Sequence, residues 1–269
     1  MSFPVQTAEY ANLKALSGAW GIAYGPIESR RLGKSLGINL SGEQKVCSFD
    51  CPYCELGLTE IRMNQLKQDD LFPKAALVGE AVRVRLRQVV DKNEAIDCLT
   101  ISGNGEPTLH PEFLECVEAI LAARRDITPH LKVGVLSNGA HCDNKRVVQA
   151  LNMLDERMIK IDAGNEQMFK RINRPLVRAN LSKITSGVRK LNDVIVQSLF
   201  VQGECDNTVL SDIEEWLEII GIVKPKMVHI TTISRVPAVS GLRPASEDTL
   251  YTIASRLKRK LQIECAVFP

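Results

Sequence analysis

Long apolar runs are missing from this sequence of 269 residues. No stretch approaches the roughly 18 consecutive apolar residues that a membrane-spanning helix needs. The first residues, MSFPVQTAEYANLK, also lack the basic start and the apolar segment of a secretory signal peptide. We therefore expect a cytoplasmic protein without a membrane partner.

An excess of charge of one sign is missing as well. Lys and Arg number 34 against 32 Asp and Glu, so the formal net charge of +2 neither indicates nor excludes a nucleic-acid partner. Hydrophobic residues make up 45% and charged residues 25%, which excludes disordered and fibrous classes. Because no Ser, Gly or Pro-rich linker divides the chain, we expect one domain, with an N-terminal extension over residues 1–24 and a core over residues 25–269.

Cysteine is present but too scarce for a disulfide scaffold. The chain has eight, and the thiols of a protein without an export signal are expected to stay reduced. Five are scattered: Cys98, Cys116, Cys142, Cys205 and Cys265. The other three, Cys47, Cys51 and Cys54, lie within eight residues, and such clustering indicates metal or redox chemistry.

Strand-like apolar runs recur at fairly even intervals and alternate with helical patterns. The predicted strands cover residues 36–40, 96–102, 132–138, 158–163, 194–201 and 227–233, with a short last strand over residues 262–268. Six repeats of strand then helix predict parallel β/α units in an α/β fold. In such folds the functional residues lie at the C-terminal ends of the strands.

Local signals predict several helix ends. Pro111 is expected in the first turn of one helix, and Ser211 with Glu214 forms a capping-box pattern at the start of another. Gly221 is expected to stop that second helix, and Ser246 to cap the last one.

The three clustered cysteines form a C-x3-C-x2-C pattern. A chance triplet with this spacing would arise in roughly 0.007 of chains with this cysteine content. Three thiolates from one short loop can hold three irons of a [4Fe-4S] cluster, because soft sulfur ligands suit such clusters. No fourth cysteine lies nearby, so one iron would be open to another ligand, which favours catalysis over electron storage.

Two other readings share these cysteines. Cys51-Pro52-Tyr53-Cys54 is also the dithiol motif of glutaredoxins, in which a lowered thiol pKa at a helix start promotes disulfide exchange. Gly57 lies where that helix would be needed, which disfavours the dithiol reading. A structural zinc site would need a fourth Cys or His ligand, and none stands at a suitable spacing. A non-catalytic iron–sulfur or dithiol electron carrier remains the alternative to an enzyme.

The motif and its flanks resemble the radical S-adenosylmethionine (SAM) superfamily. The segments SRRLGKSLGIN before the cysteines and SGNGEPTLHPEF after them are similar to one subgroup, the Fe-S oxidoreductases related to tRNA wyosine and wybutosine synthesis enzymes. The resemblance extends from Gly25 to the last helix. It implies a partial (β/α)6 TIM-like barrel, a [4Fe-4S] cluster and SAM as cofactors, and oxidoreductase-type radical chemistry.

The resemblance also assigns site residues. Cys47, Cys51 and Cys54 match the cluster ligands. The residues that match SAM-binding elements are Tyr53, Gly103, Asn104, Gly105, Glu106, Ser137, Asn138 and Gly203. In the family these elements meet the adenine, the methionine amino group, and the methionine carboxylate with the ribose. This chain departs from the common pattern by the extra Asn104 and by Glu204-Cys205 after Gly203.

The implied reaction is reductive cleavage of SAM to a 5′-deoxyadenosyl radical that takes hydrogen from a substrate. It implies a reductase or a flavodoxin- or ferredoxin-type electron donor. The substrate stays open among a tRNA base, a peptide or protein side chain and a small metabolite. Oligomeric state, and whether SAM is consumed or regenerated, stay open too.

Residues at the ends of predicted strands are candidates for contact with substrate. Asp162 either faces ligand or forms an ion pair with Lys160, which shares its strand face. Arg235 either clamps a substrate anion or is solvated, and Cys205 is either a hydrogen donor or an ordinary loop thiol. Two further features, the basic run Arg30, Arg31 and Lys34 and the strand residue His229, carry weaker signals. The basic run either meets phosphate or forms a solvated turn, and His229 is assigned no role.

Overall fold

The alternating apolar runs form one curled sheet with helices on its outer side. The computed structural model describes residues 21–42, 44–59 and 72–269. Its strands are β1 (Ala23–Ser29), β2 (Gly33–Ile38), β3 (Cys98–Ile101), β4 (Lys132–Ser137), β5 (Glu156–Lys160), β6 (Ile195–Leu199), β7 (Val201–Gly203), β8 (Met227–Thr231), β9 (Leu242–Pro244) and β10 (Glu264–Phe268). Its helices are α1 (Ala75–Asp91), α2 (Phe113–Ile127), α3 (Lys145–Met153), α4 (Glu166–Ile172), α5 (Leu181–Val188), α6 (Leu210–Val223) and α7 (Glu247–Leu261). None of the described helices has the length and hydropathy needed to cross a bilayer.

The main sheet has the order β1-β2-β3-β4-β5-β6-β8-β10. All neighbours in it are parallel except β1, which runs antiparallel to β2. Six consecutive parallel strands, β2 to β8 without β7, are each followed by helix, which confirms the predicted partial (β/α)6 barrel. The predicted last strand is β10, a seventh parallel strand beside β8.

The two faces of the sheet differ because successive strand residues point to opposite sides. One set is fully buried against the helices: Leu36, Ile38, Leu99, Ile101, Val133, Val135, Ile159, Val196, Val228 and Ile230. Trp216 of α6 identifies this outer face, since its indole N–H donates to Ser198 Oγ at 3.0 Å and to the carbonyl of Ile161 at 3.2 Å. The alternate residues face the inside of the curl, and many of them are polar.

Strand β1 was not among the predicted strands. Its backbone shifts register between Tyr24 and Ile27, around Gly25 and Pro26, so the period of two that marks a strand is lost. The Tyr24 ring covers Gly37, where a Cβ atom would lie 2.3 Å from the ring. Residues 1–20 of the predicted N-terminal extension lie outside the described residues.

A side chain bridges the two outermost strands of the sheet. Arg30, in the turn after β1, donates to Ser234 Oγ at 2.9 Å and to the backbone oxygen of Pro269, which follows β10. The inside of the curl is therefore bounded by β1 and β10 as well as by the six central strands.

Three predicted helix ends were wrong. Pro111 precedes α2, which begins at Phe113 after the N-cap residue Glu112. Ser211 lies inside α6, which begins at Leu210 after the N-cap residue Val209, and no side chain of the described residues caps this helix start. Gly221 also lies inside α6, where a Cβ would stand 3.2 Å from Leu261 of α7.

The sequence explains two other helix ends. Helix α6 ends instead at Lys224, which has a left-handed φ of 52° and precedes Pro225. The predicted cap at Ser246 is confirmed, since its side chain accepts the backbone N–H of Thr249 at 3.2 Å.

Candidate functional site

The cysteine loop, residues 44–59, lies across the C-terminal ends of the strands and is held on both flanks. On one flank Val46 donates its backbone N–H to the carbonyl of Asn104 at 2.7 Å and accepts that of Glu106 at 2.9 Å. On the other, Leu176 donates to the carbonyl of Ser48 at 2.9 Å. The loop is thus held in place by strand-like pairing, although it contains no strand of its own.

The glycine-rich turn after β3 packs directly on this loop. Gly105 has a φ of 143°, and a Cβ there would stand 1.7 Å from the carbonyl oxygen of Val46. Gly103 also packs closely on Asn39, where a Cβ would stand 2.4 Å from Asn39 Oδ1. At both positions the missing side chain allows two backbone segments to approach each other.

Glu106 ties the turn after β3 to the end of β4. Its carboxylate is 2% exposed and accepts the Ser137 hydroxyl at 2.7 Å and the Asn138 backbone N–H at 2.6 Å. It also accepts the backbone N–H and the hydroxyl of Thr108, at 3.1 and 2.6 Å. Four N–H or O–H groups therefore donate to this buried carboxylate, because a charged group away from water needs hydrogen-bond partners.

Asn138 joins the end of β4 to the cysteine loop. Its side-chain amide donates to Ser48 Oγ at 2.9 Å and points at Cys47 Sγ from 3.8 Å. Its side-chain carbonyl accepts the backbone N–H of Ala140 at 3.0 Å, which fixes the orientation of the amide. Three segments assigned separately by resemblance, those of Cys47, Glu106 and Asn138, are therefore in contact.

The cysteine thiols form no disulfide, and N–H groups point at two of them. Cys47 Sγ accepts the backbone N–H of Phe49 at 3.4 Å, and Cys51 Sγ accepts the Asn173 side-chain amide at 3.7 Å. Burial raises the pKa of Cys47 to about 12 and that of Cys51 to about 11, with the negative charge of Glu106 adding to the effect on Cys47. Buried thiolates here would need a cationic partner, and hydrogen bonds to sulfur are typical of iron–sulfur sites.

This arrangement fits a cluster better than it fits either rival reading. Within the described part of the chain, no three His, Cys, Asp or Glu side chains converge on one metal-ion position, as a zinc site would require. In a [4Fe-4S] cluster each thiolate binds a different iron, so convergence is not needed. A reactive dithiol needs an accessible thiol of low pKa, whereas Cys51 is buried and its pKa is raised.

Tyr53 and Asp162 form a second anchor beneath the loop. The Tyr53 hydroxyl donates to Asp162 Oδ2, which also accepts the Asn173 amide at 2.8 Å. Asp162 Oδ1 accepts the backbone N–H of Leu199 at 2.8 Å and pairs with Lys160 at 3.4 Å. Burial and the charge of Asp162 raise the pKa of Tyr53 well above its usual value, so its hydroxyl stays a donor. The Asp162 side chain is fully buried, and its oxygens are occupied by groups of the protein itself.

Gly203 and Cys205 lie at a small hairpin formed by β7 and β9. Gly203 has a φ of 103°, and a Cβ there would stand 2.1 Å from the carbonyl oxygen of Gly241. Cys205 is 5% exposed, and its thiol points at the carbonyl of Arg171 from 3.5 Å. The contacts described for both residues are with this hairpin and with α4, not with the cysteine loop.

Arg235 lies in the segment after β8, beside the cysteine loop. It is exposed and pairs with Glu55, the residue next to Cys54. Val239 of the same segment donates its backbone N–H to the carbonyl of Pro52 at 3.0 Å. The segment after the last central strand therefore meets the segment after the first.

Sequence reasoning missed Asn173, which contacts three groups of the site. Its amide meets Cys51 Sγ, the Tyr53 hydroxyl at 3.1 Å and Asp162 Oδ2. The sequence signal near it was Pro175, two residues later, since a proline predicts that the helix ends before it. In the structure Asn173 caps the end of α4, and Pro175 pairs with Phe49 as an isolated bridge.

Solved structures with this fold include radical SAM enzymes. A radical SAM methyltransferase from Sphaerobacter thermophilus matches with a TM-score of 0.63 and 14% identity over 87% of this chain, and this chain spans 65% of the methyltransferase. TYW1 with a lysine–pyruvate adduct bound matches with a TM-score of 0.60 and 13% identity, over 86% of this chain and 75% of that one. SuiB of Streptococcus suis, bound to the precursor peptide SuiA, matches with a TM-score of 0.62 and 13% identity over 97% of this chain and 52% of its own. These likenesses establish the fold, a partial barrel of the radical SAM type.

Curated relatives are more similar in sequence. No protein-family model matches the chain. A UPF0026 protein of Synechocystis is 30% identical over 79% of this chain and 75% of its own length, and one of Methanocaldococcus jannaschii is 30% identical over 86% and 70%. A UPF0026 protein of Helicobacter pylori is 32% identical over 235 residues, or 85% of this chain. Because that alignment also spans 71% of the Helicobacter protein, the chain belongs to the UPF0026 family.

Proposed function

We propose that this chain is a radical SAM enzyme with a [4Fe-4S] cluster held by Cys47, Cys51 and Cys54. The contact of the Cys47 loop with both Glu106 and Asn138 carries this proposal. It brings the matched cluster and cofactor segments together at the C-terminal ends of neighbouring parallel strands, where barrel enzymes place their sites. When bound, the reduced cluster supplies the electron that cleaves SAM and starts radical chemistry.

The protein's own residues position and shield this site. N–H groups point at the cysteine sulfurs from Phe49, Asn138 and Asn173. These groups would stabilise the negative charge of the buried thiolates. Glu106 holds the ends of β3 and β4 together, so the backbone groups of both turns keep a fixed orientation toward a cofactor. Tyr53 and Asp162 hold the loop from below and keep water from that side.

Substrate and electron donor are part of the same proposal. The resemblance to wyosine and wybutosine synthesis enzymes favours a tRNA base, and the peptide on SuiB makes a peptide side chain the second candidate. A small metabolite is the third candidate. A reductase or a flavodoxin- or ferredoxin-type protein would supply the electrons.

An anaerobic reconstitution tests the proposal. The full chain is loaded with iron and sulfide, reduced, mixed with SAM, and assayed for 5′-deoxyadenosine by mass spectrometry. We expect about four irons per chain and product formation in the wild type, and loss of both in Cys51→Ser. Cys265→Ser is the matched control, because Cys265 lies in β10 outside the loop.

Other outcomes would each contradict the proposal. A cluster that neither cleaves SAM nor changes its electron paramagnetic resonance spectrum when SAM is added would identify an electron carrier. Absence of iron, together with a reversible Cys51–Cys54 disulfide, would identify a dithiol protein. Circular dichroism of Cys51→Ser separates a lost ligand from a lost fold.

A further inference from the structure

Arg31 has no acceptor for its guanidinium, although it is half-buried. Its backbone N–H donates to Ser29 Oγ at 3.3 Å, but among residues 21–42, 44–59 and 72–269 no side chain or carbonyl accepts a hydrogen bond from its guanidinium. Its neighbours are already engaged: Glu55 pairs with Arg235, and Arg30 donates to Ser234 and Pro269. Burial lowers the pKa of Arg31, and the charges of Arg30 and Arg235 lower it further, whereas the charge of Glu55 raises it. Three arginines here share one carboxylate, so a net positive charge is left.

His229 stands on the inner face of the sheet, close to the turn that carries Arg31. Its ring packs on Phe268, and the next residue, Pro269, accepts a hydrogen bond from Arg30, the chain neighbour of Arg31. The strand register places Lys160, Gln197 and His229 side by side across β5, β6 and β8, and we call these three residues the polar row. The row faces away from Trp216 and the helices, since Ser198 and Ile161, the neighbours of Gln197 and Lys160 along their strands, contact Trp216. These residues therefore point into the curl.

The His229 ring is buried but incompletely satisfied. It is 6% exposed, it packs edge-on against Phe268 at 5.1 Å between ring centroids, and its Nδ1 atom has no hydrogen-bond partner in the described part of the chain. Burial and the positive charge of Arg31 lower the pKa of His229 to about 4, although the charge of Glu156 opposes them, so the ring is neutral and carries one N–H donor. Among the described residues, the amide of Gln197 beside it contacts Met158 Sδ alone, at 3.5 Å.

We propose that the inner face of the half-barrel binds the anionic end of a small substrate, a carboxylate or a phosphate, between Arg31 and His229. The guanidinium fork matches the planar geometry of either anion, and the neutral imidazole adds a hydrogen bond. His229 is buried and Arg31 is half-buried, so the anion is a terminal group rather than a phosphate within a polymer backbone. Of the three candidate substrate classes, this site therefore selects the small metabolite. This inference rests on the proposed function, because the same substrate would have to reach the cysteine loop with its other end.

Histidine NMR tests the site without any turnover. The chain has four histidines, so in protein labelled with ¹⁵N-histidine the His229 signals are assigned by their loss in His229→Gln. Reconstituted wild-type protein is titrated with sodium phosphate and with sodium malonate, against sodium chloride at equal ionic strength. We expect a saturable shift of the His229 signals with one of the two anions and none with chloride. A response to phosphate assigns a phosphate end, and a response to malonate a carboxylate end.

Variants assign the binding to Arg31. Arg31→Gln should weaken the binding about tenfold or more, and Arg31→Lys should weaken it less, because lysine keeps the charge but loses the fork. Arg87→Gln, an exposed arginine of α1, is the matched control and should bind as the wild type does. Thermal melts of all variants check that they are folded, and Arg31→Lys serves if the glutamine variant is not.

Several results would overturn the inference. They are an equal response to chloride, full-strength binding in folded Arg31→Gln or Arg31→Lys, competition by SAM, and a His229 response to bulk tRNA but to neither small anion. The SAM-cleavage assay is read separately. Anion binding without 5′-deoxyadenosine would therefore refute the proposed function alone, and product without anion binding would refute only this site.

Discussion

The carboxylate of Glu106 accepts the backbone N–H of Asn138 at 2.6 Å, so a side chain from the end of β3 determines where the end of β4 turns. Asn138 then directs its amide toward Ser48 and Cys47. The position of the first cysteine thus depends on a carboxylate 59 residues further along the chain, through one intermediate side chain.

Replacing Glu106 by Gln should loosen this connection. Glutamine keeps one acceptor oxygen, and its NH2 group would face an N–H or hydroxyl donor that it cannot accept. We expect the free energy of unfolding to fall by about 1–3 kcal/mol in urea denaturation. Glu118→Gln, on the exposed side of α2, should change it by less than about 0.5 kcal/mol. Equal stability of the two variants would contradict the role assigned to Glu106.

Gly105→Ala should displace the cysteine loop. The added Cβ would stand 1.7 Å from the Val46 carbonyl oxygen, so the two backbone segments would have to separate. We expect iron content after reconstitution to fall severalfold while circular dichroism still shows the folded barrel. Gly57→Ala is the control within the same loop, because it also has a positive φ, 78°, but its Cβ would meet nothing within 4 Å. Normal iron content in Gly105→Ala would show that the packing on Val46 is dispensable.

Tyr53→Phe should weaken the anchor beneath the loop. The variant removes a hydroxyl that donates to Asp162 and leaves a buried carboxylate with one donor fewer. We expect a loss of about 1–3 kcal/mol in the free energy of unfolding. Tyr251→Phe on α7, where the tyrosine is 51% exposed, should have little effect. The idea fails if chemical denaturation gives the same midpoint for both variants.

His229 should make stability depend on pH in mildly acidic solution. The pKa of this residue is about 4 in the folded protein and 6.5 in an unfolded chain. Between these values the unfolded chain binds the proton that the folded protein does not, so stability is present above pH 6.5 and is lost as the pH falls toward 4. The loss should approach about 3 kcal/mol, measured by urea denaturation across this range.

His229→Gln should flatten that part of the stability profile, because glutamine does not titrate. His130→Gln, at an exposed site, should leave the profile of the wild type unchanged. A wild-type profile retained in folded His229→Gln would assign the acid sensitivity to other groups.

The repeating strands of the fold could be predicted from the sequence, whereas its irregular elements could not. Strand periodicity predicted the six central strands, because each buries one face against helices. Helix α6 starts one residue before Ser211, at Leu210, after the N-cap residue Val209, which has no capping side chain, so the capping-box pattern pointed to the wrong residue. The irregular β1 was missed because Gly25 and Pro26 interrupt its alternation.

The part of the candidate site that consists of a motif with fixed spacing could be predicted. The contacts between residues from distant segments could not. The spacing of Cys47, Cys51 and Cys54 is local. The burial of Asp162 beneath Tyr53 and the position of Asn173 arise only when strands and loops far apart in sequence come together. Arg31 could be recognised as lacking an acceptor only after the partners of Arg30 and Arg235 were known.

The two flanks of the cysteine loop also bear on the order of events during synthesis. All three cysteines have been made by residue 54, but the groups that hold their loop lie near residues 104–106, 138 and 173–176. A nascent chain therefore carries the ligands long before it has the frame that orients them. Since metal affinity in such sites is coupled to folding, we expect iron uptake to be a late step of biogenesis, after the fifth strand and its helix have emerged.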